Sequence, residues 1–407
     1  MQEGERALSI KKLIHSQRDH LVKWRRHIHQ YPELSFKEFE TARYIKEELS
    51  KNVNIKIETA IGLSTSVIGH LHAENGPTLA IRADIDALPI QEENEVSYCS
   101  SRDGVMHACG HDAHTAILLG VAHVLSELAR AGQLKGNIKF IFQPAEETPD
   151  EHGLSGSSYL INAGVYDQVS AALALHMCPW LPLGSVQIND GYSMANVDEF
   201  EAVIKGTGGH GGYPEKGTDP TWMLGLLLQA IHGIVPRKVS ALEHAVISIG
   251  EIQAGTATNI IPTDVRLRGT IRSYHPSTRQ LLENQLQQAF SVIKALEGDY
   301  QLTIKKGEPA LYNDPFLNKL VRSAVKKIDD AHQIITKPYG MGGEDFGFVA
   351  QKLPASMFFL GCSDHENKAT DLHTPTFNID EAALELGVEI LVYAVIDYFE
   401  QFHLSRE

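Results

Sequence analysis

The sequence predicts an α/β protein interrupted by a compact α+β insertion, and three observations carry that reading. In the first half, strand-length apolar runs alternate with helix-length amphipathic stretches, the rhythm of βαβ units and a largely parallel sheet. From about Val197 the order becomes β-α-β-β-α-β, the split βαβ arrangement of a ferredoxin-like domain. After Gly307 the mixed pattern resumes. The expected organisation is residues 1–193 and 309–407 as two parts of one α/β domain, with residues 194–308 as a separate unit inserted between them.

The elements follow in order. "TLAIRADI" (Thr78 to Ile85) reads as a strand. The helix "AHTAILLGVAHVLSELARAG" places Ile117, Val121, Val124, Leu125 and Leu128 on one face at helical spacing. "NIKFIF" is a strand, a short helical pattern covers Ser157 to Asn162, and "AALALH" (Ala171 to His176) is another strand. In the insertion, "VDEFEAVIKG" alternates as a half-buried strand with Phe200, Ala202 and Ile204 on one side. The helix "DPTWMLGLLLQAIHGIV" follows, then the strands "HAVISIGEI" and "TDVRLRGTIRS". A helix from Ser277 to Leu296 and the strand "YQLTIKK" close the set. The last stretch supplies a helix from Asp314 to Ile328, the strand "ASMFFLG" and a long helix from Asp380 to about Phe402.

The chain has 407 residues, 43% of them hydrophobic and 21% charged, enough to bury a core in each domain. Asp and Glu number 51 against 36 Lys and Arg, a formal charge of −15, which argues against nucleic acid or an anionic membrane as partner. No window approaches the length of a membrane span, and the charged start "MQEGERALSIKKLIHSQRDH" lacks an apolar signal region, so a cytoplasmic protein is expected. The four cysteines are scattered and form no disulfide framework; Cys109 differs from the rest in its neighbours.

Those neighbours are "GVMHACGHDAHT", in which His107, Cys109, His111, Asp112 and His114 crowd into one short stretch. A thiolate, imidazoles and carboxylates together suit Zn²⁺, Mn²⁺, Co²⁺ or Ni²⁺ better than Mg²⁺ or Ca²⁺. Further ligand types recur in "RADIDA", "FQPAEE", "LHMCPW" and "DLHTPTF", the first three at strand ends, where α/β sheets gather their sites. In "FQPAEE" the adjacent carboxylates of Glu146 and Glu147 repel each other, yet point in different directions, so one can bind a metal while the other serves as a base.

With these motifs the chain resembles the metallopeptidase family of aminoacylases, hippurate hydrolases and indole-acetyl-amino-acid hydrolases. The resemblance rests on "RADIDALPI", "MHACGHDAHT", "FQPAEE", "LHMCPW", "GTGGHGGYP", "TNIIPTDVRLRGTIRS", "GMGGEDFGF" and "LHTPTF" in that order, over nearly the whole chain. It implies a zinc-peptidase-like catalytic domain carrying a ferredoxin-like lid and dimerisation domain. It further implies two divalent metal ions (Zn, Mn, Co or Ni) held by Cys109 as bridging ligand, His111, Glu147, His176 and His373. Glu146 is then the general base, and Asp84 a carboxylate orienting a ligand. His107, Asp112 and His114 support the ligands. On the insertion, His210 resembles an oxyanion-stabilising histidine, acting in its own or a partner subunit. Asn259 and Arg272 resemble residues that hold the substrate's polar groups. Gly342 and Gly343 allow close backbone approach, and Glu344 and Asp345 cap the following helix.

The activity implied is metal-dependent hydrolysis of small N-acyl amino acids to a carboxylate and a free amino acid, by a homodimer or dimer-based oligomer. Two alternatives stand beside it: a dipeptidase or carboxypeptidase on the same scaffold, and a protein that binds metal without turnover. The Glu146–Glu147 pair speaks against the last, because storage needs no base beside a ligand.

Overall fold

A computed structural model describes residues 3–363 and 371–404. The outermost residues of the expected first and last domains, Met1, Gln2 and 405–407, lie outside the described residues. The chain separates into two units: Met1–Gly191 with Tyr312–Tyr339 and Phe348–Glu407, and Tyr192–Leu311 with Gly340–Gly347. The second unit therefore takes in "GMGGEDFG", which the sequence reading left with the last part of the first domain. Its backbone explains why: the Ala195 amide donates to the Gly342 carbonyl at 3.0 Å, and the Tyr274 hydroxyl donates to the Gly340 carbonyl at 2.9 Å.

In the first unit an eight-stranded sheet runs in the order Ile55–Thr59, Val67–His72, Asn137–Gln143, Thr78–Asp84, Ala171–Pro182, Ala355–Ser363, Ser185–Gln187, Gln333–Ile335. The four inner strands from Asn137–Gln143 to Ala355–Ser363 are mutually parallel, as the strand–helix alternation predicts. The flanks depart from a parallel sheet. Val67–His72 is antiparallel to both of its neighbours, and Ser185–Gln187 runs against Ala355–Ser363. Ile55–Thr59 and Val67–His72 are joined by a short connection, which allows only antiparallel pairing.

The inner strand Thr78–Asp84 is buried along nearly its whole length, so its apolar residues do not alternate with exposed ones, and its Arg82 and Asp84 are buried as a pair. Against the sheet lies the helix His111–Arg130, whose Ile117, Val121, Val124, Leu125 and Leu128 are all buried in one core with the long helix Ala382–Leu404. Three helices that the sequence reading did not delineate, Glu3–His15, Arg18–Gln30 and Phe39–Leu49, precede the sheet. In Arg18–Gln30 the buried stripe is Leu21, Trp24, Arg25, Ile28 and His29. Its spacing is helical, but two of its five members are charged or polar types that conceal the pattern.

The second unit holds a four-stranded antiparallel sheet. Its strands in chain order are Asn196–Lys205, Ala245–Ala254, Asp264–Ser273 and Asp299–Lys306, and their order across the sheet is second, third, first, fourth. The helices Pro220–Lys238 and Pro276–Phe290 enclose a separate core with it, built from Phe200, Ile204, Leu227, Leu267 and Leu286 among others. The helix expected to reach Leu296 stops at Phe290. Ser291 bonds back to the Gln288 carbonyl at 2.6 Å, and a separate turn, Val292–Ala295, buries Ile293.

One glycine decides how the main helix of the first unit begins. Gly110 precedes His111 with φ +89°, and a Cβ there would meet Met177 Cβ at 2.9 Å. Gly110→Ala should cost at least about 1–2 kcal/mol from the left-handed backbone alone. Urea unfolding measures this, and an unchanged midpoint would show that the turn relaxes without strain.

Candidate metal centre

The first unit brings together six residues that lie far apart in sequence. Cys109 and His111 flank Gly110 at the start of the helix His111–Arg130. Glu146 and Glu147 follow the strand Asn137–Gln143, His176 lies in the strand Ala171–Pro182, and His373 follows the strand Ala355–Ser363. The donor atoms of Cys109, His111 and His176 fall within 4.8 Å of one another, and so do those of Cys109, Glu147 and His373. Cys109 is common to both groups. Its Sγ lies 3.4 Å from His176 Nε2 and 3.4 Å from His373 Nε2.

Each histidine is oriented from behind. His111 donates from Nδ1 to the Asp86 carbonyl at 2.9 Å, which turns Nε2 towards the other donors. His176 does the same through the Met177 carbonyl at 2.8 Å. The His373 loop is tied by its own amide to the Ala108 carbonyl at 2.8 Å. His114 is different. Its Nε2 accepts from the Met177 amide at 2.8 Å, and its Nδ1 must therefore donate to Asp84 Oδ1 at 2.6 Å. With both nitrogens engaged, His114 supports the site rather than binding an ion.

His111 Nε2, Glu147 Oε1 and Asp86 Oδ1 are buried here without a hydrogen-bond partner, and the first two face each other at 3.6 Å. Leaving such atoms unsatisfied costs free energy that cations bound at the site would recover. The charges agree. Burial alone would raise the Asp84 carboxyl, yet His111, His114 and Arg82 hold it well below the usual range. Burial together with Glu147 and Glu146 pushes the Cys109 thiol well above its usual value. A site with this excess of acidic groups fits divalent cations, and the mixed thiolate, imidazole and carboxylate donors fit the borderline-soft ones. Glu146 Oε2 stands 4.0 Å from His111 Nε2; it lies outside the two groups that share Cys109, but gathers with His111 and Glu147 within the same 4.8 Å.

Asp84 takes a place other than the one expected of it. Its carboxylate bonds His114 and, at 2.7 Å, Arg82 Nη1, and its nearest approach to a donor residue is 3.7 Å, to His111 Nε2. The carboxylate behind His111 is Asp86, whose Oδ1 is 3.4 Å from His111 Nδ1 and whose Oδ2 accepts from the Glu147 amide at 3.0 Å. The signal for Asp86 was present in "RADIDA", where the two aspartates occupy alternate positions.

A buried ionic cluster that sequence reasoning missed lies behind the helix start. Arg25, fully buried, donates to Asp112 at 2.9 Å, Asn378 at 2.9 Å and Glu381 at 3.2 Å. His29 bridges Asp112 at 2.8 Å and Glu92 at 3.0 Å. With a carboxylate oxygen at each ring nitrogen, His29 is held as imidazolium; burial opposes this, but the two bonds raise its pKa. His107 beside this cluster is kept neutral by burial, which lowers it to about 3. The cluster joins Asp112, next to His111, to the segment that follows His373.

In the second unit, His210 and Asn259 lie together. The His210 segment pairs with Ile260, and the Gly211 amide donates to the Asn259 carbonyl at 2.8 Å. His210 is exposed, and its Nδ1 accepts from the Gly212 amide at 3.0 Å, so its neutral ring carries hydrogen on Nε2. Arg272 lies near the far end of the strand Asp264–Ser273, with its guanidinium pKa lowered by burial. Glu344 accepts from the Phe346 amide at 3.0 Å, a cap on the helix Phe346–Lys352.

Comparisons with known proteins agree with this centre. Residues 80–397 match the sequence model of Peptidase family M20/M25/M40. The chain is 39% identical over 371 residues to the N-acetylcysteine deacetylase of Bacillus subtilis, covering 90% of this chain and 93% of that one. It is 36% identical to thermostable carboxypeptidase 1 of Saccharolobus solfataricus, covering 91% and 93%. A crystal structure of a dinuclear metal-binding peptidase of the M20 family from Bacillus subtilis superposes with a TM-score of 0.82 at 33% identity, covering 95% of this chain and 99% of the other.

The ionic cluster sets an acid limit on stability. Burial alone would raise the Glu92 carboxyl, but bonds from His29, the Ser100 amide and Asn94 hold it down to about 2, against 4.5 ordinarily. Its folded-state pKa is depressed, so its contribution is complete above pH 4.5 and is lost as pH falls towards 2. Replacing Glu92 with Gln should flatten this limb of the unfolding free energy by on the order of 2–3 kcal/mol. Equal acid slopes in the variant and the parent protein would remove Glu92 from the account.

Proposed function

The chain belongs to Peptidase family M20/M25/M40 and is a metal-dependent hydrolase; from that premise we propose that it hydrolyses the amide bond of N-acyl amino acids, releasing a carboxylate and a free amino acid. The observation that carries this reading is the pair of donor groups sharing Cys109, with Glu146 beside them. Cys109, His111 and His176 would hold one ion, and Cys109, Glu147 and His373 the second. Ions bound there would supply Lewis acidity for the acyl oxygen and make water acidic enough to attack near neutral pH. Glu146, within reach and outside both groups, takes the proton of the attacking water and returns one to the leaving amine. His210 presents an Nε2 hydrogen suited to a developing oxyanion. Asn259 and Arg272 would hold the carboxylate of the amino-acid part. The second unit would serve as lid and dimerisation surface, giving a homodimer in which His210 acts in its own or the partner subunit.

The acyl group is proposed to be acetyl or aromatic. An aromatic wall beside His176 favours the second. Tyr339 stacks on Phe359 with centroids 3.8 Å apart, both rings lie about 6 Å from the His176 ring, and the half-exposed Trp180 lies 5.4 Å from Tyr339. A carboxypeptidase reading also stands, supported by the name of the Saccharolobus relative. No helix among the described residues is long and apolar enough to cross a membrane, and a cytoplasmic location is proposed.

The deciding experiment measures free amino-acid release from N-acetyl-methionine, hippurate and a few dipeptides. It uses metal-stripped protein with Zn²⁺, Mn²⁺, Co²⁺ or Ni²⁺ restored one at a time. Ion-dependent release from an acylated amino acid is expected; release from dipeptides alone would favour the carboxypeptidase reading. Glu146→Gln should keep both ions and lose roughly 10²–10⁴ in turnover. His210→Ala should lose about 10²–10³, and near-parental turnover in a folded His210→Ala protein would remove it from the oxyanion role.

A further inference from the structure

The adjacent carboxylates Glu146 and Glu147 perform different tasks only if the turn before them is held fixed, and that turn is unusual. Ala145 has φ +53°, a left-handed backbone conformation that a non-glycine residue does not keep by itself. It is fully buried, and both sides of it are pinned. Its carbonyl accepts from the Gly156 amide at 2.8 Å. Gly156 comes so near that a Cβ on it would lie 1.7 Å from the Pro144 carbonyl oxygen. The Ala145 amide donates to Glu38 Oε1 at 2.9 Å, and the Glu147 amide donates to Asp86 Oδ2 at 3.0 Å. Glu146 is thus bracketed by two amides, each held by a buried carboxylate from elsewhere in the chain.

Asp86 also touches His111, whereas the hydrogen bonds of Glu38 go to Phe36, Thr65 and Ala145. Glu38 is fully buried just before the helix Phe39–Leu49. Besides the Ala145 amide it accepts from the Phe36 amide at 2.9 Å and from the Thr65 hydroxyl at 2.8 Å. A buried carboxylate is costly to keep, and three donors converge on this one. Two of them belong to its own surroundings; the third, the Ala145 amide, lies over a hundred residues away, at the turn that presents the pair.

We propose that Glu38 is the positioning residue of the Glu146–Glu147 pair, its buried side-chain oxygen holding the left-handed Ala145 so that Glu147 meets the ion site shared with His373 while Glu146 is presented to move a proton. The proposal rests on the roles given above to Glu146 and Glu147. Glu38 acts as a hydrogen-bond acceptor rather than as a charge. A glutamine there can offer its oxygen to the two amides and its NH₂ to the Thr65 hydroxyl, whereas methionine fills the same space and accepts nothing.

The test is Zn²⁺ binding to the full-length, metal-stripped protein by calorimetry, alongside kcat and KM for N-acetyl-methionine. Glu38→Met should weaken one of the two ions by about 10–100-fold, the range for lost supporting hydrogen bonds, and lower kcat over the same range with little change in KM. The other ion shares Cys109 with the first and so should weaken as well, but clearly less. The loss should not add to that of Glu147→Gln, because both act on one ion. Glu38→Gln should match the parent protein. Adding Ala145→Gly to Glu38→Met should recover most of the lost affinity, since glycine holds a positive φ without restraint.

Equal weakening of both ions would mark a general structural role and overturn the proposal. So would unaltered binding in Glu38→Met, or a Glu38→Gln protein as impaired as Glu38→Met. Should Glu38→Met fail to fold, Glu38→Asp keeps the charge but withdraws the oxygen. The same selective loss is then expected, and equal weakening or none refutes the role. Parent protein that binds two ions but cleaves no N-acyl amino acid would defeat the reaction assigned above, while the ion affinities would still decide the role of Glu38.

Discussion

Four carboxylates within 4.0 Å of one imidazole set the terms for the first unit. Asp84, Asp86, Glu146 and Glu147 all approach the ring of His111. Such a gathering in a buried place is repulsive unless positive charge stands among it. Arg82 supplies part of that charge at Asp84, His114 adds a hydrogen bond, and the remainder matches what divalent ions bring. The same carboxylates push the Cys109 thiol upward, so forming its thiolate and admitting a cation are coupled events. Protein groups and ions are thus two halves of one charge balance, and the chain supplies the negative half.

The sheet makes this concentration possible. Its four inner strands are parallel, so their carboxyl ends share one edge of the sheet. Asp84 and Asp86 come at the end of one strand, Glu146 and Glu147 after the next, His176 within a third and His373 after the fourth. The helix His111–Arg130 starts at that edge with Cys109 and His111, and its positive end adds to the attraction for acidic groups. Behind it, Arg25, Asp112, His29 and Glu92 form a hydrogen-bonded ionic cluster that reaches Asn378 and Glu381. Buried ion pairs seldom add stability over apolar packing. Here the cluster joins the helix start to the segment that follows His373, and so fixes the relative position of ligands from opposite ends of the chain.

Much of the centre was legible because its residues are chemically conspicuous. A thiol and three imidazoles inside "MHACGHDAH" have few other uses, and two adjacent carboxylates after an apolar strand and a proline call for an explanation. The alternation of strands and helices fixed the parallel core of the sheet and the β-α-β-β-α-β order of the second unit. Legibility ended at common residues in uncommon places. Glu38 and Arg25 belong to N-terminal segments rich in glutamate and arginine, in which Glu40 and Arg43 pair with each other in solvent. Nothing in their spacing sets the buried pair of residues apart from the exposed pair.

The sequence by itself therefore determined the donor types, their division among strand ends, the α/β class and the kind of chemistry, since these depend on residue identity and local periodicity. Only the tertiary structure decided which donor types come together, that Asp86 stands behind His111, and that His114 spends both nitrogens on hydrogen bonds. It also placed Gly340–Gly347 with the second unit and Glu38 against the Ala145 turn. These outcomes depend on directions in space between segments far apart in the chain. Hydrogen bonds and charge pairs are satisfied or left open by displacements of an ångström, which no periodicity along a sequence records.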